Sequence, residues 1–185
     1  TPRVIAGSAE NIIQDLLWLG IDWDGPVSYQ SERIAYYDKA FETLVSDGRV
    51  FSCFCSRKDI REAASAPHGA AIAYPGTCRA LSANQQAQNA INKVAAFRLR
   101  CDEGGDDFVI KRADGIYAYH LAVTVDDLEQ GITHVVRGAD LHDSQMQQLQ
   151  LAQMLAPSRP AIQYNCVPLR LDESGHRMSK RDGSE

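Results

Sequence analysis

Cys53 and Cys55, in the stretch VFSCFCSRKDI, constrain this chain more than any other feature. Thiols two positions apart on an extended segment project to the same side. They are too close to bridge each other comfortably, so they invite a shared third party. Downstream, AYPGTCR supplies Tyr74 and Cys78. Three thiolates with one oxygen or nitrogen donor make a tetrahedral zinc site. Such a site would tie down the segment from Ser65 to Gln88, whose Ala, Gly, Pro, Ser and Asn content reads as loop. A loop of that length is otherwise hard to hold in a compact domain. The residues leave the fourth ligand open. His68 is the usual chemical choice, whereas the Tyr74 phenol must ionise from a pKa of about 10.

The count of five cysteines is odd, unlike the even frameworks of short secreted chains. The expected setting is a reducing cytoplasm, where clustered cysteines bind metal or do chemistry. Cys101 and Cys166 lie in apolar, strand-like stretches and read as small buried hydrophobes. A net charge of -5 excludes a nucleic-acid partner held by bulk charge, so any such contact needs a local patch. No run of about eighteen apolar residues occurs, so no membrane span is expected. The chain begins at Thr1, which leaves targeting signals unread.

Periodicity divides the rest. GSAENIIQDLLWLG reads as a helix with Ser8 as N-cap, an apolar stripe of Ile12, Ile13, Leu16 and Leu17, and Gly20 as its stop. SERIAYYDKAFETLVSDG reads likewise, with Ser31 as cap, Ile34, Tyr37, Phe41, Leu44 and Val45 as the stripe, and Gly48 as its end. A short strand from Val50 to Cys55 follows, and then a helix start where Ser56 and Asp59 have capping-box spacing. Beyond the loop-like segment the spacing predicts strands at VAAFRLRC, FVIKR, IYAYHLAVTV and GITHVVRG. A helix is expected at SQMQQLQLAQMLA, stopped by Pro157 and Pro160, and a last strand at IQYNCVPLRL. Strands alternating with helices around a loop-rich middle predict an α/β fold carrying an insertion. The paired Asp126 and Asp127 read as helix capping and internal hydrogen bonding rather than as metal ligands.

The segment RMSKRDGS puts three basic residues and two hydroxyls after a strand of the expected sheet. Nucleotide sites of α/β folds lie beyond the carboxyl ends of strands. Lys180 there could meet phosphate charge as it develops.

RMSKR resembles the KMSKS signature of class I aminoacyl-tRNA synthetases. GITHVVRGADL and YHLAVTVDD resemble the second Rossmann half of the glutamyl-tRNA synthetase branch, and LLWLGIDWDGPVSYQSER fits the same branch. Within it, Cys53, Cys55, Tyr74 and Cys78 match the Cys-x-Cys then Tyr-x-x-x-Cys zinc pattern of the glutamyl-queuosine tRNA(Asp) synthetases, and RGADL points the same way. The resemblance implies a class I Rossmann-type catalytic core with an inserted zinc-binding α/β subdomain. The expected division is 1–49 for the remainder of the first Rossmann half, 50–117 for the insert and 118–185 for the second half.

It further implies one structural zinc with Tyr74 as fourth ligand, and Mg-ATP as a substrate. Tyr119 and Arg137 fall on glutamate-binding positions. Arg177, Met178, Ser179, Lys180 and Arg181 form the ATP-binding loop, with Lys180 catalytic. The implied activity is ATP-dependent activation of glutamate and its transfer to queuosine in the anticodon of tRNA(Asp), by a monomer without an anticodon-binding domain. Charging of the tRNA 3′ end is the alternative within the branch, and a non-catalytic zinc-stabilised RNA-binding module is the alternative outside it. The HIGH-type motif and an Arg-Ile-Glu-Asp segment of the family are expected upstream of Thr1. CDEGGDDF is shorter than the family's link between two strands, and Cys166 stands where relatives often have His.

Overall fold

The computed structural model describes residues 5–63, 73–102, 106–172 and 175. It is a mixed α/β structure in two compact units, 1–32 and 33–185. The first unit carries helix α1 (Ser8–Trp18), whose cap differs from expectation: Gly7, in the left-handed region at φ 79°, precedes the helix, and Ser8 is its first residue. No side chain caps that end. Glycine populates this region without the Cβ clash that other residues meet.

The second unit opens with α2 (Ile34–Ser46). Ser31 is not its cap. It lies in a 3-10 turn, Gln30–Glu32, and Arg33 occupies the cap position without a side-chain cap bond. Tyr37 and Leu44 form the buried face of α2, with Phe41 packed beside them, while Ile34 and Val45 remain exposed. Gly48, at φ 69°, turns the chain into β1 (Val50–Cys53). The expected box at the start of α3 (Arg57–Ala63) is present: Ser56 N–H donates to Asp59, and Asp59 N–H donates to the Ser56 hydroxyl.

Helix α4 (Ala83–Asn92) begins inside the segment, Ser65 to Gln88, that was expected as loop and runs past its end. Its N-terminus is closed by a reciprocal pair in which Gln85 N–H donates to the Ser82 hydroxyl and Ser82 N–H donates to the Gln85 side chain. The small and amide-rich composition hid it, yet Ser-x-x-Gln is a helix start. Strands β2 (Ala96–Leu99) and β3 (Val109–Lys111) join β1 in an antiparallel sheet of order β1-β2-β3. Phe51 faces Arg98 and Cys53 faces Ala96 across the first pair.

The larger correction concerns IYAYHLAVTV, residues 116–125, expected as strand: from Tyr119 onward it belongs to helix α5 (Tyr119–Glu129). Its Tyr, Val and Thr content favours strands only as a weak, context-dependent preference. Leu121, Ala122 and Val125 recur at helical spacing and are all buried in the main core. Packing decides. Strand character survives only as an isolated bridge between Tyr117 and Lys111. Strand β4 (His134–Gly138) then pairs in parallel with β5 (Gln163–Val167), connected through α6 (Ser144–Leu155). A parallel pair needs such a crossover, and a helix is the usual one.

The core gathers Tyr37, Leu44, Leu99, Ile110, Leu121, Val125 and Leu151 from α2, the antiparallel sheet, α5 and α6. Asp126 is buried beneath it, so its charge needs compensation. The Arg33 Nε donates to it at 2.6 Å, and the Tyr37 hydroxyl lies 3.0 Å from both its oxygens. This ties α2 to α5. Asp126 therefore makes the expected internal hydrogen bonds, but it caps nothing, because it sits within α5.

Candidate functional site

Two groups of chemically capable side chains stand out in the second unit. The first lies where β1 runs into α3. Cys53, Cys55 and Cys78 bring their sulfurs within 4.8 Å of one another. Cys55 and Cys78 are 3.5 Å apart at sulfur. The Tyr74 phenol oxygen is 3.5 Å from the Cys53 sulfur and accepts a 2.7 Å hydrogen bond from the Cys78 backbone N–H. Phe51 and Phe54 pack around Cys53 and Cys78 as a second small core. The donor set and its compactness fit a tetrahedral, thiolate-rich ion of the zinc type. His68, the other candidate for fourth ligand, lies outside the described residues.

Electrostatics within this cluster are uneven. Burial pushes the Cys55 thiol up to about 12, and its neighbours Cys78 and Cys53 push the same way. Burial also raises Cys53, but the Tyr74 hydrogen bond, then the Cys55 backbone N–H and then Arg98 outweigh it and leave that thiol below its usual value. The Tyr74 phenol is raised, chiefly by burial and by its bond to Cys53. Protons compete with any metal for such donors, so uptake should release them.

The second group surrounds Arg137 on β4. Its Nη1 donates to the Gln148 Oε1 at 2.6 Å, and its guanidinium carbon lies 4.6 Å from the Tyr164 ring centroid. The Nε and Nη2 are buried and have no hydrogen-bond partner among the described residues. Those two nitrogens form one edge of the guanidinium, the edge that grips a carboxylate with two parallel bonds. A buried donor without an acceptor costs about 1–3 kcal/mol. An unsatisfied two-donor edge therefore marks a place for an anionic ligand.

Tyr119, at the start of α5, is half exposed and its ring contacts that of His120. Tyr119, Asp127 and Arg137 all act electrostatically on the Tyr164 phenol, which burial raises. His120 is held below its usual value by burial and then by the Arg137 charge, both of which favour the neutral ring. Burial lifts the Asp127 carboxyl to about 6; Asp126 adds to the shift and Arg137 opposes it.

Asp127 gives a pH signature. Its folded-state value of about 6 exceeds the ordinary 3.8, so the folded form holds the proton longer than the unfolded form does. Between those values, rising pH should lower the stability of the parent relative to Asp127→Asn, which cannot ionise there. Thermal unfolding of both proteins across the window checks this; a gap that widens in the parent's favour contradicts it.

The sequence singled out Tyr119 and Arg137 but missed Gln148, Tyr164, Asp127 and His120. Gln148 left a trace: it shares the buried face of α6 with Leu151 and Ala152. A glutamine in that pattern needs a polar partner. Gly138 is crowded by its own chain, since an added Cβ would fall 2.5 Å from the Asp140 Oδ1. Cys166 departs from expectation. It is exposed on β5, with its sulfur 3.8 Å from His142 Nδ1, because β5 pairs only with β4 among the described residues. Cys101 is buried as expected. The basic residues Arg177, Lys180 and Arg181, with Met178 and Ser179, lie outside the described residues.

Comparison with known proteins bears on both groups. The family model for the catalytic domain of class I tRNA synthetases of the E and Q type matches residues 1–185. A glutamyl-Q tRNA(Asp) synthetase of Nocardia farcinica is 43% identical, covering 98% of this chain and 63% of that protein. One from Prochlorococcus marinus strain MIT 9313 is 41% identical, covering 98% and 59%. The chain thus spans about three-fifths of these relatives. Among solved structures, a glutamate tRNA ligase from Elizabethkingia meningosepticum, crystallised with its amino acid, superposes with a TM-score of 0.77 at 26% identity. That match covers 99% of this chain and 44% of the ligase.

Proposed function

Since the chain belongs to the class I tRNA synthetases of the glutamate and glutamine type, we propose that its full-length protein activates glutamate with ATP and transfers it to queuosine in the anticodon of tRNA(Asp). The observation that carries the glutamate step is the open edge of Arg137, two buried donors without an acceptor beside Tyr164 and Gln148. The substrate's side-chain carboxylate completes that fork, and Tyr119 borders the same space. Lys180, in the loop Arg177, Met178, Ser179, Lys180 and Arg181, stabilises phosphate charge during adenylation with Mg-ATP.

Cys53, Cys55, Cys78 and Tyr74 hold one zinc ion, whose part is structural: it closes the segment between β1 and α4. The reading of queuosine as acceptor is supported by the names of the relatives that are 43% and 41% identical to this chain over the aligned residues. Charging of the tRNA 3′ end is the second reading, favoured by the glutamate tRNA ligases among the structural neighbours. No helix among the described residues is long and apolar enough to cross a membrane. The cysteines described are free thiols, in keeping with work in a reducing cytoplasm.

The glutamate step is tested by ATP–pyrophosphate exchange in the full-length protein. Glutamate should support exchange at least about tenfold better than glutamine. The neutral amide cannot accept the paired charged hydrogen bonds, each worth about 1.5–3 kcal/mol. Equal exchange with both amino acids would mean that Arg137 does not select the substrate carboxylate.

A further inference from the structure

Arg98, on β2, is a buried cation at 8% exposure. Its Nη1 donates to the Asp107 carbonyl at 2.7 Å, and its Nε is buried with no hydrogen-bond partner among the described residues. Among the described residues no carboxylate lies within ion-pairing distance of it; the Asp107 carboxylate is taken by Arg79. Buried charges are ordinarily paired, so this one needs an anion. Its guanidinium carbon stands 3.8 Å from the centroid of the Tyr74 ring, closer than any other cation–ring contact among the described residues. Tyr74 in turn presents its oxygen to the three-cysteine cluster.

We propose that Arg98 is the countercation of the metal centre, offsetting the negative charge that three thiolates and a phenolate leave on a divalent ion and fixing the Tyr74 ring against it. This role rests on zinc occupying the cluster. Charge arithmetic gives it direction. Without a metal, no carboxylate among the described residues pairs with the buried guanidinium beside the cluster. With Zn²⁺ bound by three thiolates and a phenolate, the complex is anionic and Arg98 supplies the opposite charge. Strand register makes the placement firm. Arg98 faces Phe51, two residues from Cys53 on β1, and the sheet shifts register between Phe97 and Arg98. Lining up a guanidinium with a phenol ring rather than with water also favours arginine over lysine, because its planar, weakly hydrated head stacks.

The test is zinc affinity of this chain, read by competition with a chromophoric chelator, for the parent, Arg98→Met, Arg98→Lys, Tyr74→Phe and the Arg98→Met/Tyr74→Phe pair. Residues that support metal ligands from outside the coordination sphere typically change affinity by about 10- to 100-fold. Arg98→Met should weaken binding by that range, and Arg98→Lys, which keeps the charge, by less. In the Tyr74→Phe background the loss from Arg98→Met should shrink, because the phenolate it compensates is gone. Cobalt substitution adds a readout that a merely structural role would not move: the visible d–d bands of tetrahedral Co(II), which report its donor set, should shift in Arg98→Met and stay as in the parent in Arg98→Lys. Affinity unchanged in Arg98→Met overturns the proposal, as do equal losses in both backgrounds or equal losses from Met and Lys. A parent protein that takes up no zinc overturns the metal reading itself and this role with it.

Discussion

Arg137→Ala in the full-length protein is expected to cut glutamate-dependent ATP–pyrophosphate exchange by about 10²- to 10⁴-fold. Removing one partner from a buried charge pair costs about 3–5 kcal/mol, since the remaining charge is left uncompensated. In this pair the remaining charge is the side-chain carboxylate of the substrate. Gln148 and Tyr164 already fix the guanidinium, so little ordering is left to be done on binding and the full loss should appear. Arg112→Ala is the matched control. Arg112 pairs with Asp114 at 2.6 Å, but both side chains are nearly half exposed. Surface changes of this kind stay within about ±0.5 kcal/mol. Small and equal effects from the two substitutions would take Arg137 out of the glutamate site.

Stripping the metal should be as severe, by another route. The purified chain is expected to carry one zinc per molecule, and Cys78→Ser or a strong chelator should remove it. Binding free energy at a structural zinc is folding free energy, about 10–16 kcal/mol in small zinc-binding peptides. The cluster around Phe51, Cys53, Phe54 and Cys78 is small and cannot replace that contribution. Limited proteolysis should then cut near Tyr74–Cys78, while the core of Tyr37, Leu99, Leu121 and Leu151 remains protected. Freshly purified, reduced protein without metal by elemental analysis would contradict the assignment. Loss of zinc in His68→Ala, with retention in Tyr74→Phe, would move the fourth ligand to His68.

What the sequence disclosed follows from how local each signal is. The grouping of Cys53, Cys55 and Cys78 was legible because thiols at that spacing are distinctive whatever the backbone does between them, whereas Tyr74 was preferred to His68 by resemblance alone. The stripe of α2 was legible in part: Tyr37 and Leu44 are buried, but Ile34 and Val45 are not. The helix at Tyr119–Glu129 was not legible from its residues, because β-branched and aromatic content pointed one way and tertiary packing the other. Misreading that element also misplaced Asp126 and Asp127, whose neighbours Arg33, Tyr37 and Arg137 come from distant parts of the chain. Arg137 was picked out by resemblance; its unsatisfied edge exists only once β4, α6 and β5 are assembled. Arg98 had no signal at all, since a lone basic residue in a strand reads as a solvent-facing side chain.

The acceptor of the glutamate tests the account most directly. Full-length protein is incubated with labelled glutamate, ATP, and tRNA(Asp) with or without queuosine, and the label is located by nuclease digestion. Unpaired loop bases can be splayed into a protein pocket and read on their edges, so a modified anticodon base is an accessible acceptor. The account predicts label in the anticodon fragment of queuosine-containing tRNA(Asp), and none in tRNA lacking queuosine. Label on the 3′-terminal adenosine would contradict it and identify tRNA charging instead; label nowhere would contradict it in favour of a non-catalytic RNA-binding module.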